Sequence, residues 1–143
     1  RKGAELVVWP SQTPQRAQPG FRALQHRYYI VSSTWRNNAS IFEPTGRIMS
    51  QLEPSGQILV EEIELSYAIL PWSSKLQKGE VLRKKYGDKV GFRYYEDEDC
   101  GLFWSNDPKV TIRQMIQSIG LVEMEDEMKQ VRGLFHKAGV PSH

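Results

Sequence analysis

The sequence contains little cysteine, no excess of charge of either sign and no long apolar run. Cys100 is the single cysteine among 143 residues, so no internal disulfide can form and we expect a reducing, cytoplasmic environment. The chain has 19 basic and 17 acidic residues, which gives a net charge of +2. So small a net charge generates no field that would attract nucleic acid or an anionic membrane. No apolar run approaches the roughly 20 residues of a membrane-spanning helix. We therefore expect neither nucleic acid nor membrane as a partner.

Common catalytic and ligand-binding motifs are missing as well. The sequence has no glycine-rich phosphate loop and no Gly-x-Ser-x-Gly nucleophile elbow. His26, His136 and His143 lack metal-ligand spacing with one another or with carboxylates, so we expect no metal and no cofactor. Cys100 follows the four acids Glu96–Asp99, whose negative charge disfavours a nucleophilic thiolate. By this reasoning the chain contains no complete catalytic set.

The first third of the sequence alternates between strand and helix patterns. Leu6–Trp9 is a continuous apolar run ended by Pro10, which predicts a strand buried on both faces with neighbours on both sides. After a proline- and glycine-containing loop, a helix of about two turns is predicted by apolar residues at i, i+3 and i+7, which are Phe21, Leu24 and Tyr28. Tyr29–Ser33 follows as a second strand. This order is typical of an α/β layer.

Two similar turn motifs come next. Glu43–Ile48 is echoed by Glu53–Ile58, and each contains Pro-x-Gly, a combination that favours tight turns between antiparallel strands. The predicted result is a meander of about three strands, which are Ser40–Glu43, Arg47–Leu52 and Gln57–Leu65.

In the last half of the sequence, the patterns that predict secondary structure are weak at first and become strong towards the end. The basic stretch Lys75–Lys89 and the acidic run Glu96–Asp99 are interpreted as solvated surface. Thr111 and Gln114 form a predicted capping box, with Val110 stapled onto Met115, and Gly120 is placed to end that helix.

A second amphipathic helix is predicted at the end of the chain. Its apolar stripe has the spacing i, i+4, i+7 and i+11 and consists of Met124, Met128, Val131 and Phe135. Gly139 and Pro141 are expected to end it. Since each of the two terminal helices has one apolar face, each needs a surface to pack on.

Four stretches of the first half, taken in order, carry a resemblance to a known family. They are Gly3–Ser11, Arg22–Val31, Ser40–Ile48 and Ile63–Leu65. Together they resemble the C-terminal half of a carbon–nitrogen hydrolase of the nitrilase superfamily, with its "R-A-x-E-N-x-x-Y-V-V" segment and its "S-x-I-x-x-P-x-G-x-I" hairpin. Gln25 and His26 stand where the family usually has glutamate and asparagine.

The resemblance implies a fold and an activity. The fold would be part of an α-β-β-α sandwich, a mixed sheet with flanking helices, in which residues 1–70 form the C-terminal half of the hydrolase domain. Residues 71–143 would be an extension of the same domain, ending in the two amphipathic helices. The family uses a cysteine nucleophile with a glutamate and a lysine, and all three are expected upstream of Arg1. The 143-residue chain alone is therefore expected to be inactive.

The resemblance also implies partners and a place for the substrate. The substrate would be a small amide, nitrile or carbamoyl compound, and the protein is expected to be a homodimer or larger homo-oligomer. The loop Pro10-Ser11-Gln12 would border the substrate pocket, because ligands of open sheets collect at the carboxyl ends of strands; the alternative is that these residues only turn the chain. A second hypothesis from another class is a non-catalytic binding or assembly module.

Overall fold

The computed structural model describes residues 3–11, 15–35 and 38–138 and has a mixed α/β fold with two sheets. The chain divides into two compact units, Arg1–Leu65 (unit 1) and Ser66–His143 (unit 2). In the described ranges, none of the helices has both the length and the apolar character required to cross a membrane.

Unit 1 is a four-stranded mixed sheet with one helix. Its elements are β1 (Leu6–Pro10), α1 (Ala17–His26), β2 (Tyr29–Ser33), β3 (Ser40–Phe42) and β4 (Ile48–Gln51). The strand order is β1-β2-β3-β4, with β1 parallel to β2 and the other two pairs antiparallel. The predicted strand, loop, helix, strand order is confirmed.

Helix α1 connects the two parallel strands and packs on the sheet through small residues. Ala23 is fully buried and forms a core cluster with Ile30 of β2 and Phe42 of β3. The helix ends at Arg27, which adopts a left-handed conformation and donates its backbone N–H to the Ala23 carbonyl oxygen. This cap turns the chain directly into β2.

The prediction that β1 is buried on both faces with two neighbouring strands is wrong for the described residues. β1 lies at the edge of the sheet and pairs with β2 alone. Exposed and half-buried side chains alternate along it, and Val8 is 67% exposed. A continuous apolar run therefore occurs here on a strand with only one described neighbour.

The predicted three-stranded meander is only partly formed. Both tight turns exist, since Gly46 donates its N–H to the Glu43 carbonyl and Gly56 donates its N–H to the Glu53 carbonyl, each at 2.8 Å. The first turn joins β3 to β4. The second leads into residues 57–65, which form no strand. Ile58 and Val60 there are 81% and 82% exposed. The alternation of apolar and polar residues therefore did not produce a strand, because no neighbouring strand pairs with this stretch among the described residues.

Unit 2 contains a three-stranded antiparallel sheet, three α-helices and two short 3-10 helices, Gln77–Gly79 and Gly87–Lys89. Its elements are β5 (Tyr67–Pro71), α2 (Glu80–Tyr86), β6 (Val90–Tyr95), β7 (Cys100–Ser105), α3 (Ile112–Gln117) and α4 (Met124–Lys137). The order β5-β7-β6 places β7 in the centre. The sequence prediction missed β5, β6, β7 and α2, although the acidic run Glu96–Asp99 is indeed exposed, in the turn between β6 and β7.

The core of unit 2 lies between this sheet and the helices α2 and α3. Its fully or nearly fully buried members include Leu70, Leu82, Phe103, Ile112, Met115 and Ile116. The capping box of α3 is confirmed, because the Thr111 side chain accepts the Gln114 N–H while the Gln114 side chain accepts the Thr111 N–H. Val110 packs against the same core, and Gly120 has a positive φ of 64° just after the helix. Both were expected.

Helix α4 forms as predicted but does not pack as predicted. It runs over Met124–Lys137, and none of its residues is buried. The expected end signals Gly139 and Pro141 lie outside the described residues. Of the two terminal helices, only α3 is inserted in the core.

Asp107, just after β7, provides a pH-dependent contribution to unit 2. Its carboxylate accepts the Lys109 backbone N–H at 2.9 Å and contacts the Lys89 ammonium at 3.0 Å. These contacts lower the pKa of Asp107 below its ordinary value of 3.8, and the backbone hydrogen bond from Lys109 contributes most to the shift. A lowered carboxyl pKa stabilises the folded state above pH 3.8, and the stabilisation is lost as the pH falls through the folded-state pKa.

We therefore expect Asp107→Asn to reduce stability at neutral pH and to have a progressively smaller effect in acid. Urea unfolding of both proteins between about pH 6 and pH 2 measures this difference. A difference that stayed constant over the whole range would contradict the assigned ionic contacts.

Candidate functional site

The carboxyl end of the parallel pair β1–β2 is where the predicted pocket residues lie. Pro10 is opposite Ser33 in the register, and the Ser11 N–H donates to the Ser33 carbonyl oxygen at 3.0 Å. The pairing thus continues one residue past β1 and holds Ser11 at the strand edge. Gln12, the third predicted residue, lies outside the described residues. Carboxyl ends of parallel strands are where α/β sheets bind ligands.

A cluster of hydroxyl and amide side chains lies next to this edge, in the connection from β2 to β3. The buried Ser32 hydroxyl donates to the Ser40 carbonyl oxygen at 3.0 Å and accepts the Ser40 N–H at 2.9 Å. The Ser40 hydroxyl donates to the Asn38 carbonyl at 2.9 Å, and the Thr34 hydroxyl contacts the Asn38 side-chain oxygen. The cluster therefore fixes the backbone at this end of the sheet.

The chemistry of the edge is neutral and polar. Hydroxyl, amide and backbone groups can bind a neutral polar ligand. The serine hydroxyls of this cluster, however, already donate to backbone carbonyls, and within residues 3–11, 15–35 and 38–138 their hydrogen bonds include none to a base. The sequence prediction did not include Ser32, Thr34 or Ser40. The signal that could have identified them is the run Ser32-Ser33-Thr34 at the end of a predicted strand.

A buried carboxylate lies in the turn between β3 and β4. Glu43 is fully buried, and its side chain accepts a hydrogen bond of 2.5 Å from the Thr45 hydroxyl. Its backbone N–H donates to the Arg47 carbonyl at 2.9 Å. Because a buried carboxylate requires hydrogen-bond donors, this contact ties the side chain to its own turn. The Pro-x-Gly motif predicted only a turn at Glu43.

Cys100 is placed where it cannot serve as a nucleophile for an external substrate. It is the first residue of β7, between Pro71 and Tyr95 in the sheet register, and only 3% exposed. The neighbouring Tyr94 has its pKa raised by burial and then by the charge of Asp99. Burial and negative charge both disfavour an anion in this corner of unit 2.

The histidines do not form a site in the described part of the chain. His26 stacks on the Tyr28 ring with centroids 5.4 Å apart, and His136 is exposed on α4. His143 lies outside the described residues. Among residues 3–11, 15–35 and 38–138, no group of three or more His, Cys, Asp or Glu side chains could hold a metal ion.

Comparisons with protein-family profiles, with curated proteins and with solved structures found no match to this chain. Function therefore has to be inferred from the residues and their arrangement.

Proposed function

We propose that this chain is the C-terminal portion of a carbon–nitrogen hydrolase of the nitrilase type, acting on a small amide, nitrile or carbamoyl substrate. The catalytic cysteine, glutamate and lysine are proposed to lie upstream of Arg1. The loop at Pro10-Ser11-Gln12 is proposed to border the substrate pocket.

The observation that carries the proposal is the agreement between the order of the resembling stretches and the order of the elements in unit 1. Gly3–Ser11 contains β1 and its carboxyl end, Arg22–Val31 contains the second half of α1 and the start of β2, and Ser40–Ile48 contains β3 and the tight turn. Each stretch thus coincides with the kind of element that the resemblance implies. Ile63–Leu65 is the exception, because it forms no strand.

The edge strand β1 supports the proposal because it leaves apolar side chains and a strand edge exposed. Leu6 and Val8 of β1 are both exposed apolar residues. Along the outer edge of β1, no described strand pairs with the backbone. Exposed apolar edges are normally covered in folded proteins. In the proposed full domain, a further strand would pair with this edge, and the second sheet of the sandwich would cover the face that carries Leu6 and Val8.

The proposed chemistry assigns this chain a supporting part. An upstream cysteine thiolate would attack the amide carbonyl carbon, ammonia would leave as the thioester forms, and water would then release the acid and restore the thiol. Ser11 and the edge of β1–β2 would position the substrate. Cys100 would take no part, because it is buried in unit 2.

Ammonia release from amides and nitriles tests this function. We expect none from the purified chain and measurable release from the longer protein that includes the upstream segment. In the longer protein, Cys100→Ala should leave the rate within about twofold, whereas alanine at the upstream cysteine should reduce it by at least about 10³-fold. Ammonia release by the chain alone, or loss of activity in Cys100→Ala with the fold intact, would overturn the proposal.

The alternative is a non-catalytic assembly module built on the same half-sandwich. The observation in its favour is the exposed apolar side of α4, which suits contact with another chain. An upstream sequence that lacks the cysteine, glutamate and lysine, in a protein that releases no ammonia, would favour this module over the enzyme.

A further inference from the structure

Helix α4 carries an apolar stripe with the spacing of a coiled coil. Five residues separated by four, three, four and three positions form it, here called the α4 seam: Met124, Met128, Val131, Phe135 and Ala138. Alternating steps of three and four keep such residues on one side of a helix and are the pattern by which two helices pair.

Unit 2 leaves the middle of this seam exposed. Met128, Val131 and Phe135 are 42%, 44% and 54% exposed. The depressions between α4 and the rest of unit 2 are lined on the α4 side by polar residues, which are Glu123, Asp126, Glu127, Lys129 and Gln130. At 100° per residue, Glu123, Asp126, Lys129 and Gln130 lie about 100° to 160° from the centre of the seam, and Glu127 lies about 60° from it, at the border of the seam. The helix therefore turns its polar side toward its own unit and leaves its apolar side open.

The charges of α4 are segregated along its length. Its first turn contains Glu125, Asp126 and Glu127, and its last turn contains His136 and Lys137. Between them lie Arg132 and Lys129, and Lys129 contacts the carboxylates of Glu125 and Asp126 at 3.4 and 3.3 Å, so the acidic half keeps a net negative charge and the basic half a net positive one. In a parallel pair of these helices the acidic ends would lie side by side and so would the basic ends. In an antiparallel pair, each acidic end meets a basic end, and the two helix dipoles also oppose each other favourably.

We propose that the α4 seam is a self-association surface, on which a second copy of this chain places its own α4 in antiparallel orientation. In this register Met128 packs against Val131 of the second copy, and Met124 packs against Phe135 of the second copy. Glu125, whose carboxylate contacts Lys129 of its own helix at 3.4 Å, then also faces Arg132 of the second copy, and the twofold symmetry forms this second contact twice. A self-complementary surface of this kind closes as a dimer.

The size of the surface determines how strong the dimer is. Fourteen residues form a helix about 21 Å long, which provides only two heptads and less area than the roughly 1,200 Å² of a stable interface. The dimer is therefore reversible and depends on protein concentration.

Sedimentation velocity over a range of concentrations tests the proposal, with one matched pair of variants. Val131→Glu puts a carboxylate in the seam. Gly133→Glu puts the same group two residues away on the opposite side of α4, where a side chain meets no atom within 4 Å. We expect Val131→Glu to raise the dissociation constant at least about tenfold and Gly133→Glu to change it less than about threefold. Circular dichroism confirms that α4 remains helical in both variants.

Charge reversal then identifies the occupant and its orientation. Glu125→Arg alone and Arg132→Glu alone should each weaken the dimer, and the double variant should restore it. In a parallel pair Glu127 would face Arg132, so the combination of Glu127→Arg with Arg132→Glu would be the one that restores it. A chain that stays monomeric at every concentration, a dimer insensitive to Val131→Glu, or restoration by the parallel combination would overturn the proposal.

Discussion

Phe103→Ala is expected to lower the free energy of unfolding of unit 2 by about 3 to 5 kcal/mol. Phe103 lies in the central strand β7, is fully buried and stacks on Phe92 with ring centroids 5.2 Å apart. Removing its ring leaves a cavity next to β5, β6 and the helices, and the close-packed surroundings can fill only part of it. Urea unfolding followed by circular dichroism measures the loss.

Phe135→Ala is the matched control in the same unit. Phe135 is more than half exposed on α4, so the same change of side chain should cost no more than about 0.5 kcal/mol when measured at a dilution where the chain is monomeric. Equal losses for the two variants would contradict the assignment of β7 as the centre of the core.

Gly46→Ala is expected to destabilise unit 1 by about 3 kcal/mol. Gly46 has a φ of +88°, in the left-handed region that alanine enters at a cost of about 1 to 2 kcal/mol. An added Cβ would also lie 2.9 Å from the Gly20 carbonyl oxygen and 3.0 Å from the Leu24 Cβ. Because the Gly20 atom belongs to the backbone of α1, relief of the clash requires the helix to move away from the turn.

Two other glycines separate the conformational cost from the clash. Gly120 has a φ of +64°, and a Cβ there would meet only the flexible end of the Lys75 side chain, at 2.8 Å, so Gly120→Ala should show mainly the conformational cost, in unit 2. Gly20→Ala should show the clash, 2.8 Å from the Gly46 carbonyl oxygen, offset by the better helix propensity of alanine. If Gly46→Ala costs no more than Gly120→Ala, the close packing of α1 on this turn is wrong.

The elements that could be predicted from sequence are those specified by local signals. The capping box of Thr111 and Gln114 is complete within four residues, and the turn at Glu43–Gly46 needs only a proline and a glycine at the right positions. Such features form wherever their own residues are, largely independent of distant partners. α3 and the β3–β4 hairpin were accordingly found.

The elements that were missed or wrongly predicted depend on distant pairing. β7 is buried along its first four residues because it pairs with strands on both sides, so it shows none of the alternation of a half-exposed strand. Residues 57–65 do alternate, yet Ile58 and Val60 remain exposed. Whether a stretch becomes a strand depends on an available partner, and that information is not local.

In the candidate site, too, only the features specified by local sequence could be predicted. Pro10 and Ser11 could be placed at a strand end from the apolar run before them, and the structure puts them at the carboxyl end of a parallel pair. The contacts of Ser32 with Ser40 could not be predicted, because they join residues on two strands whose register is set by the sheet. Function was inferred from the order of short stretches, not from a catalytic set within the chain.

The most direct test of the proposed hydrolase is to locate the acylated cysteine. The longer protein is mixed with an amide substrate, quenched in acid within a single turnover, digested and analysed by mass spectrometry. The account predicts that the acyl group is attached as a thioester to a cysteine upstream of Arg1 and that Cys100 remains unmodified. An acyl group on Cys100, or turnover with no acylated cysteine at all, would contradict it.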